Sequence, residues 1–236
     1  MSVYACSDLH GSLELWNKIK VYLHPEDRLY FLGDAADRGV DGWEIIKDML
    51  DSPRVIYIRG NHEQMLLNTM LHGHPDEMAL WRHNGGLPTW LAAKDDPKVA
   101  EYLERLNETP LFTTYESEKY QYYLCHAGYT PPFYKDLLWD RGHFWDKVDD
   151  MEPDEIIVHG HTPTDILKER FEWFNYEDDE ATWEYPYTMY YGAMVYANGH
   201  KIDIDCGTAY NHYTVLMDLN TLTFIPFRED KKNGQK

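Results

Sequence analysis

Five short apolar runs each end in a cluster of glycines and hydrogen-bonding or metal-ligating residues, and this repetition constrains the chain more than any other feature. Val3–Cys6 runs into Ser7-Asp8-Leu9-His10-Gly11, Leu29–Leu32 into Gly33-Asp34-Ala35-Ala36-Asp37-Arg38-Gly39, and Val55–Ile58 into Arg59-Gly60-Asn61-His62-Glu63. Two later runs end in Cys125-His126-Ala127-Gly128 and Val158-His159-Gly160-His161-Thr162-Pro163. Between the first three runs lie Leu13–Leu23, with Leu15, Ile19 and Leu23 at helical spacing, and Trp43–Leu50, with Ile45, Ile46, Met49 and Leu50. A third helix is expected over Gln64–Leu71. The order is βαβαβα, the pattern of a layered α/β fold. Open α/β sheets hold ligands beyond the carboxyl ends of their strands, so five strands deliver Asp, His or Asn to one edge.

After residue 75 the rhythm changes. Residues 75–107 read as helical, with Trp81, Trp90 and a break at Asn84-Gly85-Gly86. Phe112–Cys125 reads as a hairpin turning at Glu116–Lys119, and Ile156–Val158 as another strand. Tyr187–Phe227 reads as antiparallel strands with turns at Asn198-Gly199 and Asn220. The expectation is one domain over 1–228, a mixed β-core with α/β units first and hairpins last. It carries a helical insertion near 75–107, an acidic and aromatic one near 168–200, and a frayed tail over 229–236. Glu169–Glu184 holds seven acids against the single base Arg170, with Phe171, Trp173, Phe174, Tyr176 and Trp183 among them. It reads as a solvated hairpin whose aromatics pack on its own sheet, with a recognition arm as the alternative.

Composition removes several function classes. The 236 residues carry a formal charge of −19, which argues against a nucleic-acid binder that neutralises phosphates and against anionic membrane surfaces. No apolar stretch is long enough to span a bilayer, and the first residues lack the charged-then-apolar pattern of a secretory leader. Cys6, Cys125 and Cys206 form no C-x-x-C pair and read as buried reduced thiols of a cytoplasmic protein.

Carboxylate, imidazole and amide oxygen together suit Mn2+, Fe or Zn2+, and the lack of paired cysteines argues against a structural zinc. Six candidate ligands exceed what one ion with open positions needs, and suit two ions sharing a carboxylate. The ordered set D-x-H, G-D-x-x-D, G-N-H-E and two later His motifs resembles the calcineurin-like metallophosphoesterases. The D-R-G and R-G-N-H-E forms are similar to the phosphoprotein phosphatase branch in its bacterial and phage-type members. The spacing agrees with that resemblance: 22 residues separate His10 from Gly33, and 20 separate Gly39 from Gly60.

The resemblance implies an α/β fold with α+β character, layered α/β/β/α around a central mixed β-sandwich. It implies that Asp8 and His10 bind a first metal ion, that Asp34 bridges, and that Asn61, His126 and His161 bind a second. Two divalent ions are implied, Mn2+ foremost and Fe or Zn2+ possible. His62 would be the general acid that protonates the leaving oxygen, oriented by Asp37. Arg38, Arg59 and the Arg141 of Leu137-Leu138-Trp139-Asp140-Arg141 would grip phosphate oxygens, and Asn84-Gly85-Gly86 resembles a loop that such members place beside the site. Three departures stand out. Ser7 replaces the usual Gly, Ile204-Asp205-Cys206-Gly207-Thr208-Ala209 replaces the eukaryotic S-A-P-N-Y loop, and residues 168–200 are longer than a compact member needs.

The expected activity is hydrolysis of phosphomonoesters by a hydroxide activated at the two-metal centre, on phosphoserine and phosphothreonine of proteins or on a small phosphoester. Hydrolysis of dinucleoside polyphosphates of the diadenosine tetraphosphate type, or of other nucleotides, is the alternative. A scaffold that only binds phosphate is disfavoured, because no ligand, acid or arginine of the pattern is missing. His159 reads as a core histidine or a support for a ligand, and His72 and His74 as solvated residues beyond a helix end. His24, His83, His143, His200 and His212 receive no role.

Overall fold

The computed structural model describes residues 1–74, 76–129, 136–146, 148–177 and 186–230. In chain order the elements are β1 (Val3–Cys6), α1 (Leu13–Tyr22), β2 (Arg28–Phe31), α2 (Gly42–Asp51), β3 (Val55–Tyr57), α3 (Asn61–Met70), α4 (Glu77–His83), α5 (Leu87–Ala93) and α6 (Val99–Asn107). There follow β4 (Phe112–Glu116), β5 (Gln121–Cys125), β6 (Glu155–His159), α7 (Thr164–Glu177), β7 (Tyr187–Tyr190), β8 (Ala193–Tyr196), β9 (Lys201–Asp203), α8 (Thr208–Asn211), β10 (Tyr213–Asp218) and β11 (Thr223–Arg228). Two mixed sheets result, one in the order β11-β10-β1-β2-β3 and one in the order β4-β5-β6-β9-β8-β7.

Period-two alternation explains the layering. Val3 and Ala5 of β1 join Leu124, Ile156, Val158 and Ile202 of the other sheet in the core between the sheets. Tyr4 and Cys6, on the opposite face of β1, pack among Leu15, Trp16, Ile19, Trp43 and Ile46 of α1 and α2. The second sheet turns its outer face to α7, where Leu167 and Phe171 meet Met194 and Tyr196. Helices therefore cover both outer faces, giving the expected α/β/β/α layering. α1 begins where the Ser12 side chain accepts the Leu15 N–H, satisfying one of the free donors of its first turn.

Four details differ from the sequence reading. α3 starts at Asn61 rather than Gln64, so Asn61, His62 and Glu63 form its first turn. Residues 164–177 form a helix where a hairpin was expected, because Leu167 and Phe171, four residues apart, bury on one face against the sheet. Asp178, Asp179, Glu180, Trp183 and Glu184 of that insertion lie outside the described residues. β9 is not part of a purely antiparallel run, since it pairs in parallel with β6. Glu229 and Asp230 are held rather than frayed: Ser12 Oγ donates to Glu229 Oε1 and Lys18 Nζ to Asp230 Oδ1. Residues 231–236 of the tail lie outside the described residues. Among the described residues, no helix is long and apolar enough to cross a membrane.

Candidate metal and phosphate site

The strand-end clusters meet at one edge of the sandwich and are stitched together through the backbone. The N–H groups of Asp8 and His10 donate to the carbonyls of Gly33 and Asp34 at 3.0 and 2.9 Å, and Gly160 N–H donates to the His126 carbonyl at 2.8 Å. The His161 N–H reaches the Asp8 carboxylate at 3.1 Å. Backbone strain concentrates here. Among the described residues eleven non-glycine residues have positive φ, and Asp8, His10, Asp34, Asp37, Arg38 and His161 are six of them. Each such conformation costs on the order of 1–3 kcal/mol and persists only where the surroundings enforce it.

Asp34 sits at the centre. Its Oδ2 lies 3.7 Å from His10 Nε2 and 3.8 Å from His62 Nε2, and its Oδ1 lies 3.4 Å from His126 Nε2. Two triads of possible ligand atoms share it: His10, Asp34 and His62, and Asp8, Asp34 and His126, each within 4.8 Å. Asn61 Oδ1 completes the second side, 2.9 Å from His126 Nε2 and 3.1 Å from His161 Nδ1. Gly60 must lack a side chain, since a Cβ there would overlap Asp34 Oδ1.

Three of the histidines are held in the neutral form a metal ligand needs. His10 Nδ1 donates to the Ala36 carbonyl at 2.9 Å and His126 Nδ1 to the Leu32 carbonyl at 2.8 Å. Because carbonyls only accept, each Nε2 presents a lone pair to the site. Burial lowers both imidazoles, His126 to about 4, and holds His161 well below the usual range. Burial raises Asp8, with the Asp34 charge adding to it, and pushes Asp34 up to about 7. Asp8 Oδ1 and His161 Nε2 are buried without a hydrogen-bond partner. Acceptors gathered so closely, with orphaned atoms among them, fit divalent cations, and the residues present suit the expected ions.

His62 is different. Its Nδ1 donates to Asp37 Oδ2 at 2.7 Å, leaving Nε2 toward Asp34 and 3.4 Å from Arg38 Nη2. Burial alone would lower this imidazole, but the charges of Asp34 and Asp37 and the Asp37 hydrogen bond outweigh it and raise its pKa. Arg38 also donates from Nη1 to His10 Nε2 at 2.7 Å. Arg141 donates from Nε to Thr162 Oγ1 at 3.1 Å, within electrostatic reach of Asp34 and Asp205. Arg59 is engaged elsewhere, its Nη1 donating to the Asn107 carbonyl and Oδ1 at the end of α6.

Several residues given no role from the sequence support this edge. Glu63 is fully buried and accepts N–H bonds from Asp34, Ala36 and Gly60, so one carboxylate shapes two motifs. Its position at the third residue of α3 is a capping-box signal that could have revealed it. Asp203 and Asp205 are buried acids, both raised by burial, Asp203 next by the Asp205 charge and Asp205 next by that of Asp8. His143 is buried against His159, whose Nε2 lies 2.7 Å from Tyr196 Oη. Two aromatic rings flank the site: Trp139 edge-on to His161 at 6.0 Å, and Tyr210, 69% exposed, beneath the Arg38 guanidinium at 5.7 Å. His72 and His74 are exposed beyond α3, and the three cysteines are buried and unpaired.

The chain is similar to several known proteins. Serine/threonine-protein phosphatase 2 of Salmonella typhimurium is 26% identical over 181 residues, 69% of this chain and 80% of that protein. The symmetrical bis(5'-nucleosyl)-tetraphosphatase of Legionella pneumophila is 26% identical over 157 residues, 64% of this chain, which spans about half of that protein (51%). A metallophosphoesterase from Sphaerobacter thermophilus superposes with a TM-score of 0.57 at 13% identity, covering 98% of this chain and 90% of that one. The family model for calcineurin-like phosphoesterases matches residues 1–202. With that match over the same loops that gather around Asp34, the chain belongs to the calcineurin-like phosphoesterase family and is a metal-dependent phosphoester hydrolase.

Proposed function

We propose that the chain is a two-metal phosphomonoesterase that removes phosphate from phosphoserine and phosphothreonine of proteins. The observation that carries the reading is the central place of Asp34, which belongs to both groups of possible ligand atoms, His10/Asp34/His62 and Asp8/Asp34/His126, while His62 is turned to Asp37 through its other ring nitrogen. Asp8 and His10 with Asp34 would hold one ion, and Asn61, His126 and His161 with Asp34 the other, Mn2+ being the first candidate. When bound, two divalent ions would supply a nucleophile from water at neutral pH and neutralise charge on phosphoryl oxygens.

The chain's own residues do the rest. Arg38, already poised between His10 and His62, holds the phosphoryl oxygens, with Arg141 from the other sheet. Arg59 can join them only by releasing Asn107. Hydrolysis forms one P–O bond to a water oxygen and breaks the ester P–O bond. The departing oxygen takes the proton that His62 carries on Nε2, and solvent restores it. Asp37 fixes the imidazole so that this nitrogen faces the site. Three buried, unpaired thiols suit a reducing compartment, and we place the enzyme in the cytoplasm.

A second reading rests on the relatives named as bis(5'-nucleosyl)-tetraphosphatases and on Tyr210, whose exposed ring beside Arg38 could stack a base. Initial rates with Mn2+ on a phosphoserine peptide, p-nitrophenyl phosphate and diadenosine tetraphosphate separate the two. The phosphopeptide is expected to be the better biological substrate; much faster cleavage of diadenosine tetraphosphate would replace the first reading with the second.

A further inference from the structure

Asp37 and Arg38 stand at φ of +70° and +64°, two consecutive residues in a region that costs non-glycine side chains energy. Something must hold them there, and the bonds come from the helical segment between β3 and β4. Trp81 of α4 donates its indole Nε1–H to Asp37 Oδ2 at 2.7 Å. The Asp37 N–H donates to Thr89 Oγ1 at 2.9 Å, and the Arg38 N–H to the Gly85 carbonyl at 3.0 Å. Three bonds from Trp81 to Thr89 thus grip the two residues that orient the acid and hold phosphate.

The Trp81 bond matters most. Asp37 is completely buried, its Oδ2 takes the His62 and Trp81 donors, and its Oδ1 has no hydrogen-bond partner. A buried carboxylate with so few donors depends on each of them for its position. The indole is itself fixed: Trp81 is fully buried, the Gly86 N–H donates to its carbonyl at 2.9 Å, and a Cβ on Gly86 would overlap the ring. The sequence Trp81-Arg82-His83-Asn84-Gly85-Gly86 therefore has a mechanical meaning. Its second glycine gives the ring room, and the ring aims its N–H at Asp37.

We infer that Trp81 is a positioning residue for hydrolysis: its indole N–H locks Asp37, and through Asp37 the imidazole of His62, in the geometry that delivers a proton to the leaving oxygen. The inference rests on the assignment of His62 as the acid, so its test must separate the two. The probes are p-nitrophenyl phosphate, whose leaving group barely needs a proton, and phenyl phosphate, whose leaving group does. The variants are Trp81→Phe, Trp81 replaced by its sulfur isostere β-(3-benzothienyl)alanine, Asp37→Asn, the double variant Trp81→Phe/Asp37→Asn, and His62→Asn. Loss of the indole N–H should lower kcat on phenyl phosphate about tenfold, the scale of one hydrogen bond, and on p-nitrophenyl phosphate much less. KM and bound metal per chain should not change. In the Asp37→Asn background the Trp81 substitution should add nothing, since both act through one group.

The isostere keeps the ring's shape and decides the matter if the phenylalanine variant folds poorly. If His62→Asn discriminates between the two substrates but the isostere does not, Trp81 only packs and the inference falls while the acid assignment stands. If His62→Asn lowers both substrates equally, the acid assignment falls and the inference with it.

Discussion

Asp34 joins the two halves of the site, since its two oxygens face different histidines across 3.4–3.8 Å. In the proposed two-ion site, Asp34→Asn would remove a shared anionic ligand and should lower the occupancy of both ions together, read as metal per chain after dialysis at limiting Mn2+. Loss of one ion with the other retained would show that the carboxylate is not shared. Gly60→Ala gives a second handle, because the added methyl collides with Asp34 Oδ1. That variant should lose metal affinity while its far-ultraviolet circular dichroism stays that of the parent; unchanged affinity would contradict the close packing. At this scale the sequence was most informative about which residues meet around Asp34, because Asp, His and Asn set after strands stand out from an apolar run. It was silent on Trp81 and Thr89. Neither residue type has a chemical signature, and their link to Asp37 spans 44 and 52 positions.

Helices and strands whose apolar residues keep one period were legible: β1, α1, α2, β4 and β5 fall within a residue or two of expectation. The elements that differed did so for local reasons. In α3 the first turn is polar because its residues serve the site, so the periodic signal begins only later. In α7 a run of acids and aromatics hid the Leu167 and Phe171 pair that faces the sheet. One inter-element tie has a pH signature. Asp96, between α5 and α6, accepts bonds from Trp43 Nε1 and Lys47 Nζ of α2. The Lys47 bond, then the Lys98 N–H and Trp43, hold its carboxyl down at about 2. A folded-state pKa below the unfolded value of about 3.9 means this stabilisation is complete above pH 4 and lost as pH falls toward 2. Asp96→Ala should cost roughly 1–3 kcal/mol near neutrality, toward the low end because the lysine is partly exposed and screened. The difference from the parent should shrink between about pH 4 and 2 in urea unfolding. A difference independent of pH would remove the ion pair from the explanation.

On the scale of the molecule, two sheets with helices outside bring five distant loops to one edge, from Asp8 to His161. An overall charge of −19 does not oppose cation binding there, and exposed charges more than about 8 Å away are screened at physiological salt. Ions that bind only the folded chain stabilise it by mass action, by about 2.7 kcal/mol per site at a hundredfold excess over Kd. Mn2+ should therefore raise the thermal midpoint of chelator-treated protein, with a smaller rise for Asp34→Asn. An equal rise in both would point to binding elsewhere. The most direct measurement is anomalous diffraction at the manganese edge from crystals grown with Mn2+. Two peaks are expected, one beside Asp8 and His10 and one beside Asn61, His126 and His161, both touching Asp34. A single peak, or two peaks with no carboxylate in common, would contradict the two-metal site.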